Sequence, residues 1–182
     1  MYSVRDFGWD DYAIAAAVIT SVSAVVIIDR GLLPNGLGVD VWTVPFDRIT
    51  DFVLYIYIVV ILYFLLITLI KLTLLFFFLR IFQKPVMRRL LWATIIFNVL
   101  WGFASALASA FECQPVSSYW MSWDNERPGK CVNINALAWS NAIVSIVLDV
   151  WMLALPLYEV FQLQLSWRKK IGVFMMFFVG TL

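Results

Sequence analysis

Long apolar runs alternate with short polar stretches along this chain, and the longest run is Thr50–Phe82. Residues 52–79 within it contain a single charge, that of Lys71. A helix that crosses a bilayer needs about 20 apolar residues, and it satisfies its backbone polar groups internally, as lipid requires. At about 1.5 Å per residue this run exceeds the hydrocarbon thickness. The pattern predicts a membrane helix that tilts or projects into water.

Three other runs have the length and apolar character of membrane spans. Asp10 and Asp11 stand before the first run, where carboxylates satisfy free backbone N–H groups and meet the positive end of the helix dipole. Glycine and proline are dense over about Arg30–Ile49, which predicts a loop. The predicted spans are residues 12–33, 50–79, 90–111 and 134–160, followed by a truncated segment at 171–182 that is too short to cross a bilayer.

Composition supports one membrane domain over residues 1–182. The chain is 63% hydrophobic and 14% charged, with a mean hydropathy of +0.90, whereas soluble domains are about 45–50% apolar and about 25% charged. We therefore expect an all-α polytopic membrane helix bundle. A net charge of +1 argues against nucleic acid as a partner, because such proteins carry a basic patch.

Candidate chemistry is sparse, which argues against an enzyme. The chain has no histidine, so it lacks the commonest general base and the commonest metal ligand. Its two cysteines are too few for a four-ligand zinc site, and no second carboxylate is expected near Asp149. We expect no catalytic, metal or cofactor site.

A few polar residues interrupt the spans at helical spacing. Asn98, Gly102, Ser105 and Ser109 share one face of their span, and small residues four apart allow two membrane helices to approach closely. The predicted span 134–160 carries polar residues at i, i+4 and i+8, which places Asn141, Ser145 and Asp149 on one face of the helix. The predicted intramembrane polar residues are Lys71, Asn98, Asn141, Ser145 and Asp149.

Lys71 and Asp149 are predicted to lie at the same depth. Lys71 precedes Arg80 by nine residues, and Asp149 precedes Glu159 by ten on a helix that runs the same way. A charge inside a membrane helix usually faces the bundle interior, so an ion pair is one hypothesis. Lys71 could instead extend its ammonium to the interface, or each charge could have another partner.

The basic residues predict which loops are cytoplasmic, because positive charge marks that side. Eight of them fall on one side of the predicted spans: Arg5, Arg80, Lys84, Arg88, Arg89, Arg168, Lys169 and Lys170. The other side has four, among seven acidic residues. The loops around Arg80–Arg89 and Arg168–Lys170 are therefore predicted to be cytoplasmic, and residues 112–135 face outward.

Two features of the outward side follow from this orientation. Cys113 and Cys131 lie in one outward loop, in an oxidising compartment, so we expect a disulfide rather than two free thiols. Five aromatic residues are predicted at the same end. They could line a ligand pocket, but such residues more often form the interfacial belt; they are Trp42, Tyr55, Tyr57, Trp120 and Trp123.

Several motifs coincide in order and spacing along the chain: GWDDY, GLGxDxWTV, ILYxLxxxLxKLTLLxFxLRIF, FECQP, GKC and DVWMLALPLYEV. Together they resemble the fungal rhodopsin-domain family, which includes Pth11-like receptor-type proteins and membrane proteins of satratoxin-type gene clusters. The resemblance implies a partial seven-transmembrane architecture with four full spans and a truncated fifth. It does not imply retinal, because the lysine that carries retinal lies on the last span of such proteins and Lys71 is not at the equivalent place.

The resemblance also suggests a function. It implies an orphan receptor-type protein, multi-pass and located in the plasma membrane, that senses an extracellular or surface cue of unknown chemistry. Membrane lipid surrounds it, and a cytoplasmic signalling partner would contact the basic loops. The alternative is a transporter or transport accessory, which calls for polar residues through several spans and for broken helices; only Asn98, Asn141, Ser145 and Asp149 fit that demand.

Overall fold

The computed structural model describes residues 8–121 and 129–162. Four of its helices are long and apolar enough to cross a membrane, namely Trp9–Leu32, Arg48–Ile81, Pro85–Ala110 and Ile134–Tyr158. The protein is thus an all-α polytopic membrane bundle, as predicted. The predicted segment at 171–182 and the basic run Arg168–Lys170 lie outside the described residues.

Helix α1 spans Trp9–Ile27, and Gly8 is its N-terminal cap residue. The N–H of Gly8 donates a hydrogen bond to the carboxylate of Asp11 at 2.9 Å. It continues as a π-helical turn over Ile28–Leu32. The loop predicted from Arg30 therefore starts later, at Leu33, because this wider turn extends the backbone hydrogen bonding past Gly31. Gly36 and Gly38 then adopt positive φ angles of 106° and 85°, which glycine accepts without steric cost.

Helix α2 (Phe46–Ile81) is followed almost at once by α3 (Pro85–Ala110). The basic stretch from Arg80 to Arg89 was predicted as a loop, and that prediction is wrong. Only residues 82–84 lie outside the helices, because Pro85 has the fixed φ of a first helical residue and starts α3 there. Arg88 and Arg89 project from the first turns of α3 and are exposed.

Helix α2 is the centre of the bundle. Helices α1 and α3 pack closely along it, whereas α5 (Ile134–Gln162) approaches mainly through side chains. At one end, Arg80 of α2 contacts Asp10 of α1 at 3.2 Å. A core of apolar side chains joins α2, α3 and α5 near that end: Leu75, Phe78, Met87, Leu91, Ile95, Met152 and Leu155.

The small residues of α3 share a buried face, as the spacing predicted. Gly102, Ser105, Ala106 and Ser109 are all buried. A Cβ placed on Gly102 would collide with the side chain of Thr68 on α2. Glycine at this position is what allows the two helices to lie so close together.

A small ribbon closes the opposite end of the bundle. Strands β1 (Cys113–Gln114) and β2 (Lys130–Cys131) pair antiparallel, with Cys113 opposite Cys131. The disulfide predicted between these two cysteines is confirmed. The short helix α4 (Ser118–Met121) packs between this ribbon and α2.

Candidate functional site

The charged centre of the bundle is Lys71 of α2, whose side chain is only 8% exposed. Its Nζ lies 3.0 Å from Oδ1 of Asp149 on α5. The same nitrogen donates to Oγ of Ser145 at 2.7 Å and to the Ser145 carbonyl oxygen at 3.0 Å. An ammonium has three protons, so all three are used inside the bundle.

This arrangement decides between the hypotheses left open for Lys71. A snorkelling lysine would extend its ammonium to the membrane surface, but here the ammonium lies between α2 and α5. The hypothesis of snorkelling is wrong, because the serine and aspartate of one helical stripe provide a complete set of acceptors at the depth of Lys71. Asp149 remains more open, with a side chain that is 45% exposed.

Two amide side chains extend the polar contacts to α3. Asn98 donates through Nδ2 to the carbonyl oxygen of Thr68 on α2, at 3.1 Å. Asn141 on α5 accepts a hydrogen bond of 2.5 Å from Oγ of Ser105 on α3. Both asparagines are buried. The five polar residues predicted from sequence, together with Ser105 and Thr68, thus form one set between three helices, which we call the midplane cluster.

One further bridge between α3 and α5 was missed by the sequence reasoning. The indole Nε1 of Trp151 donates to Oγ1 of Thr94 at 3.1 Å. Thr94 lies one helical turn before Asn98 and is buried. The i, i+4 spacing of these two polar residues was the available signal, but nothing in the sequence pointed to a tryptophan as the donor.

The side chains that bridge α5 to its neighbours leave a cavity of about 370 Å³ at the midplane cluster. Its polar wall is formed by six residues of that cluster. Aromatic and aliphatic side chains form the rest, among them Tyr63, Phe64, Ile67, Trp101, Ile146 and Leu148. The cavity is therefore amphipathic, because both hydrogen-bonding groups and apolar side chains line it.

The four described aromatic residues that were predicted at the outward end do not line this cavity. Tyr57 donates its hydroxyl to the carbonyl oxygen of Ala110 at 2.7 Å, and its ring packs against Tyr119 and Trp120. Tyr55 lies against Gly31, whereas Trp42 is 94% exposed. Trp123 lies outside the described residues.

A buried carboxylate at the outward end was also missed. Glu112 directly precedes Cys113 and is 6% exposed, and within the described residues its Oε1 has no hydrogen-bond partner. Its backbone oxygen accepts a hydrogen bond from the N–H of Val132, which follows β2, so the backbone pairing of the ribbon extends one residue beyond the two strands. Burial raises the pKa of the Glu112 carboxyl above its ordinary value, since desolvation disfavours the charged form.

The pKa of the neighbouring Tyr119 phenol is raised as well. Burial raises the pKa of Tyr119, and the nearby Glu112 carboxylate raises it further. We call Glu112, Tyr57, Tyr119 and the disulfide the outer cluster. The sequence reasoning used Glu112 only as part of the FECQP motif, which does not indicate that its side chain is buried.

Comparison with known proteins gives a consistent result. The model of the fungal rhodopsin domain matches residues 1–182. The chain is 35% identical over 86 residues to a SAT4 family membrane protein of Emericella nidulans, which covers 47% of this chain and 22% of that protein.

A second relative is named fugralins biosynthesis cluster protein 2, from Gibberella zeae. It is 30% identical over 80 residues, which covers 43% of this chain and 19% of that protein. The matched segment thus spans about a fifth of each curated relative. No solved structure matches significantly.

Proposed function

This chain belongs to the fungal rhodopsin domain family, and we propose that it acts as a receptor-type protein of the fungal plasma membrane. In this proposal the chain senses an extracellular or surface cue and passes the signal to a cytoplasmic partner. The observation that carries the proposal is the midplane cluster. It holds α5 to α2 and α3 through polar contacts around a cavity, so an occupant of the cavity would alter how these helices pack.

The basic residues at one end of α2 and α3 are the proposed partner surface. Lys84, Arg88 and Arg89 are exposed there. Lys84 lies in the short link between α2, which carries Lys71, and α3, which carries Asn98 as well as the two arginines. A change of packing at the midplane would therefore displace this charged surface. The positive charge also supports a cytoplasmic location for this end, and the disulfide supports an oxidising compartment for the other end.

Orientation can be tested with introduced cysteines, because the chain's two native cysteines are bonded to each other. A membrane-impermeant maleimide should label Leu37→Cys on intact cells, since Leu37 lies in the loop at the disulfide end. It should label Arg89→Cys only after the membrane is permeabilised. Labelling of Arg89→Cys on intact cells would contradict the proposed orientation.

Signalling can be tested in a fungal strain that expresses the protein together with a cyclic-AMP reporter. On exposure to a hydrophobic surface or to culture medium, the reporter signal should rise more in this strain than in the same strain without the protein. Neutralising the inner charges with Arg88→Gln and Arg89→Gln should abolish the response. A matched pair at the other end, Arg30→Gln and Lys130→Gln, should preserve it. Equal responses from both pairs would reject the partner surface.

The second candidate function is a transport accessory, which is favoured by the relative named as a biosynthesis cluster protein. Transporters commonly place broken helices at the substrate site, whereas α2 and α3 run unbroken past the cavity. Vesicles containing the purified protein distinguish the two functions. Accumulation of a secreted metabolite in these vesicles, dependent on Asn98 and Asn141, would favour transport over signalling.

A further inference from the structure

We infer that the midplane cavity binds a small, uncharged, lipophilic molecule with one carbonyl or hydroxyl group, which enters sideways from the bilayer. This deepens the proposed receptor function, since it gives the chemical class of the cue. Size, charge, hydrogen bonding and the exposed part of the cavity lining each contribute to the inference.

The size of the cavity limits the occupant. Its volume of about 370 Å³ lies near the lower end of the range for small-molecule pockets, roughly 300–1,000 Å³. At about 30 Å³ for each water molecule in the liquid, the space corresponds to about 12 waters. A compact molecule therefore fits, whereas a whole phospholipid does not.

The charge of the cavity wall is already compensated. The ammonium of Lys71 is neutralised by Asp149 at 3.0 Å, and its remaining protons are donated to Ser145. A carboxylate ligand would have to displace one of these acceptors and would bring an unpaired negative charge into the membrane interior. A cationic ligand would meet the ammonium directly. An uncharged ligand has neither cost.

The polar wall keeps hydrogen-bonding capacity for such a ligand. Each asparagine amide has two N–H groups, and each uses one of them on a carbonyl: Asn98 on Thr68, and Asn141 on Leu137. Among the described residues, the second N–H of each amide has no acceptor. A ligand carbonyl or hydroxyl oxygen could accept from it, which would satisfy a buried donor that otherwise costs stability.

The apolar wall explains why water alone is a poor occupant. A buried water needs two to four polar partners, whereas most of the surface that lines the cavity is apolar. Phe64, Ile67 and Leu148 contribute only apolar side chains to this lining. An occupant with an apolar body and one polar end matches both walls.

Part of the cavity lining is exposed at the surface of the described residues. Tyr63 on α2 and Ile146 on α5 both line the cavity, and they are 55% and 61% exposed. Both residues lie within the membrane-crossing parts of their helices, well away from either end. A lipophilic molecule dissolved in the bilayer would reach the cavity between these two residues without passing through water.

The experiment uses the whole chain in nanodiscs of one synthetic phosphatidylcholine, with a diazirine derivative of 1-octanol as the photoreactive probe. Mass spectrometry after irradiation should locate the label on cavity-lining peptides of α2, α3 and α5. Excess 1-octanol and 2-octanone should compete with this labelling, whereas octanoate and octylammonium should not. Labelling spread over the lipid-facing surface without saturation, or equal competition by the charged analogues, would overturn the inference.

A filled cavity provides the structural control. Ala142 lines the cavity, and Ala142→Phe should reduce the saturable labelling by about tenfold, the lower end of what one misfit group does in an apolar pocket. Ala136 is exposed on the same helix and lies outside the cavity lining, so Ala136→Phe should leave the labelling unchanged. Unchanged labelling of Ala142→Phe would count against the cavity. The competition series on the unaltered chain decides the question even if Ala142→Phe fails to fold.

Two further measurements identify the source of the occupant and separate this inference from the proposed function. Native mass spectrometry of protein taken directly from fungal membranes would show a bound neutral mass if the occupant is a membrane component. Its absence, together with probe binding, would indicate a diffusible molecule. Saturable binding without a cyclic-AMP response would remove the receptor function and keep the site, whereas a response without binding would remove the site alone.

Discussion

The midplane cluster and the outer cluster each contain a buried ionisable side chain, but they differ in the partners that surround it. Lys71 has a carboxylate and two serine oxygens around its ammonium. Glu112 is buried to a similar degree, yet its Oε1 has no hydrogen-bond partner among the described residues. In the first site the charge is paired with a carboxylate, and in the second site burial raises the pKa of the Glu112 carboxyl.

The difference follows from what surrounds each group. Lys71 faces a helix that repeats polar residues every fourth position, so acceptors are available at its depth. Glu112 lies under a ribbon that is fixed by a disulfide and by backbone hydrogen bonds, and its side-chain neighbours are tyrosines. The midplane thus depends on side-chain pairing, whereas the outer end depends on a covalent bond and tolerates one carboxyl oxygen without a hydrogen-bond partner among the described residues.

The largest expected effect is removal of the disulfide. Cys113→Ser with Cys131→Ser should lower the free energy of unfolding by about 3 kcal/mol, because closure of a loop of this length constrains the unfolded chain. The measurement is thermal unfolding in detergent. Dithiothreitol should lower the Tm of the unaltered protein and leave the double variant unaffected. Equal Tm values for the two proteins would show that the outer end has other means of support.

The next effect tests close packing at the midplane. Gly102→Ala should cost about 2 kcal/mol, because the new methyl group meets the side chain of Thr68 and overpacking is destabilising. Adding Thr68→Ala should recover part of this loss. Ala104→Val is the control, since Ala104 is exposed on the same helix and should change the Tm little. Full tolerance of Gly102→Ala would mean that α2 and α3 can separate freely.

A smaller effect is expected for the ion pair. Lys71→Met and Asp149→Leu should each destabilise the protein, since each leaves one charge unpaired in apolar surroundings. The double variant should recover about 1 kcal/mol, because polar contacts between membrane helices are individually modest. A double-mutant cycle of thermal stabilities measures this coupling. Strictly additive losses would argue that Lys71 and Asp149 act independently.

The smallest effect is a pH dependence confined to the outer cluster. The folded-state pKa of Glu112 is raised above its ordinary value of 4.5, so the folded state holds the proton more tightly than the unfolded state does. The contribution of Glu112 to stability is therefore fully present below pH 4.5 and is lost as the pH rises through the raised value. Glu112→Gln should remove this part of the pH dependence of Tm.

The matched control for that titration is Asp51→Asn, because Asp51 is an exposed carboxylate near the same end. Its Tm profile from pH 4 to pH 8 should follow that of the unaltered protein. The informative quantity is the difference between the Glu112→Gln and unaltered profiles. A difference that does not vary with pH would show that folding does not raise the pKa of Glu112.

Much of the bundle could be predicted from the sequence because membrane helices are dictated locally. Residues 52–79 contain only the charge of Lys71, and such a run has no alternative structure in lipid. Boundaries were less predictable. Pro85 begins α3 where a loop was expected, and a π-helical turn carries α1 past Arg30, since proline geometry and backbone hydrogen bonding, not hydropathy, set these ends.

The sequence by itself determined the membrane class, the disulfide and the helical stripes that carry Ser145, Asp149 and Asn98. Periodicity specifies which residues share a face, but it does not specify which helix the face meets. Only the tertiary structure decided that Lys71 pairs instead of snorkelling, that Trp151 bonds to Thr94, and that the bridging side chains leave a cavity. These outcomes depend on distances between helices, which are set by packing across the whole bundle and not by any local stretch of chain.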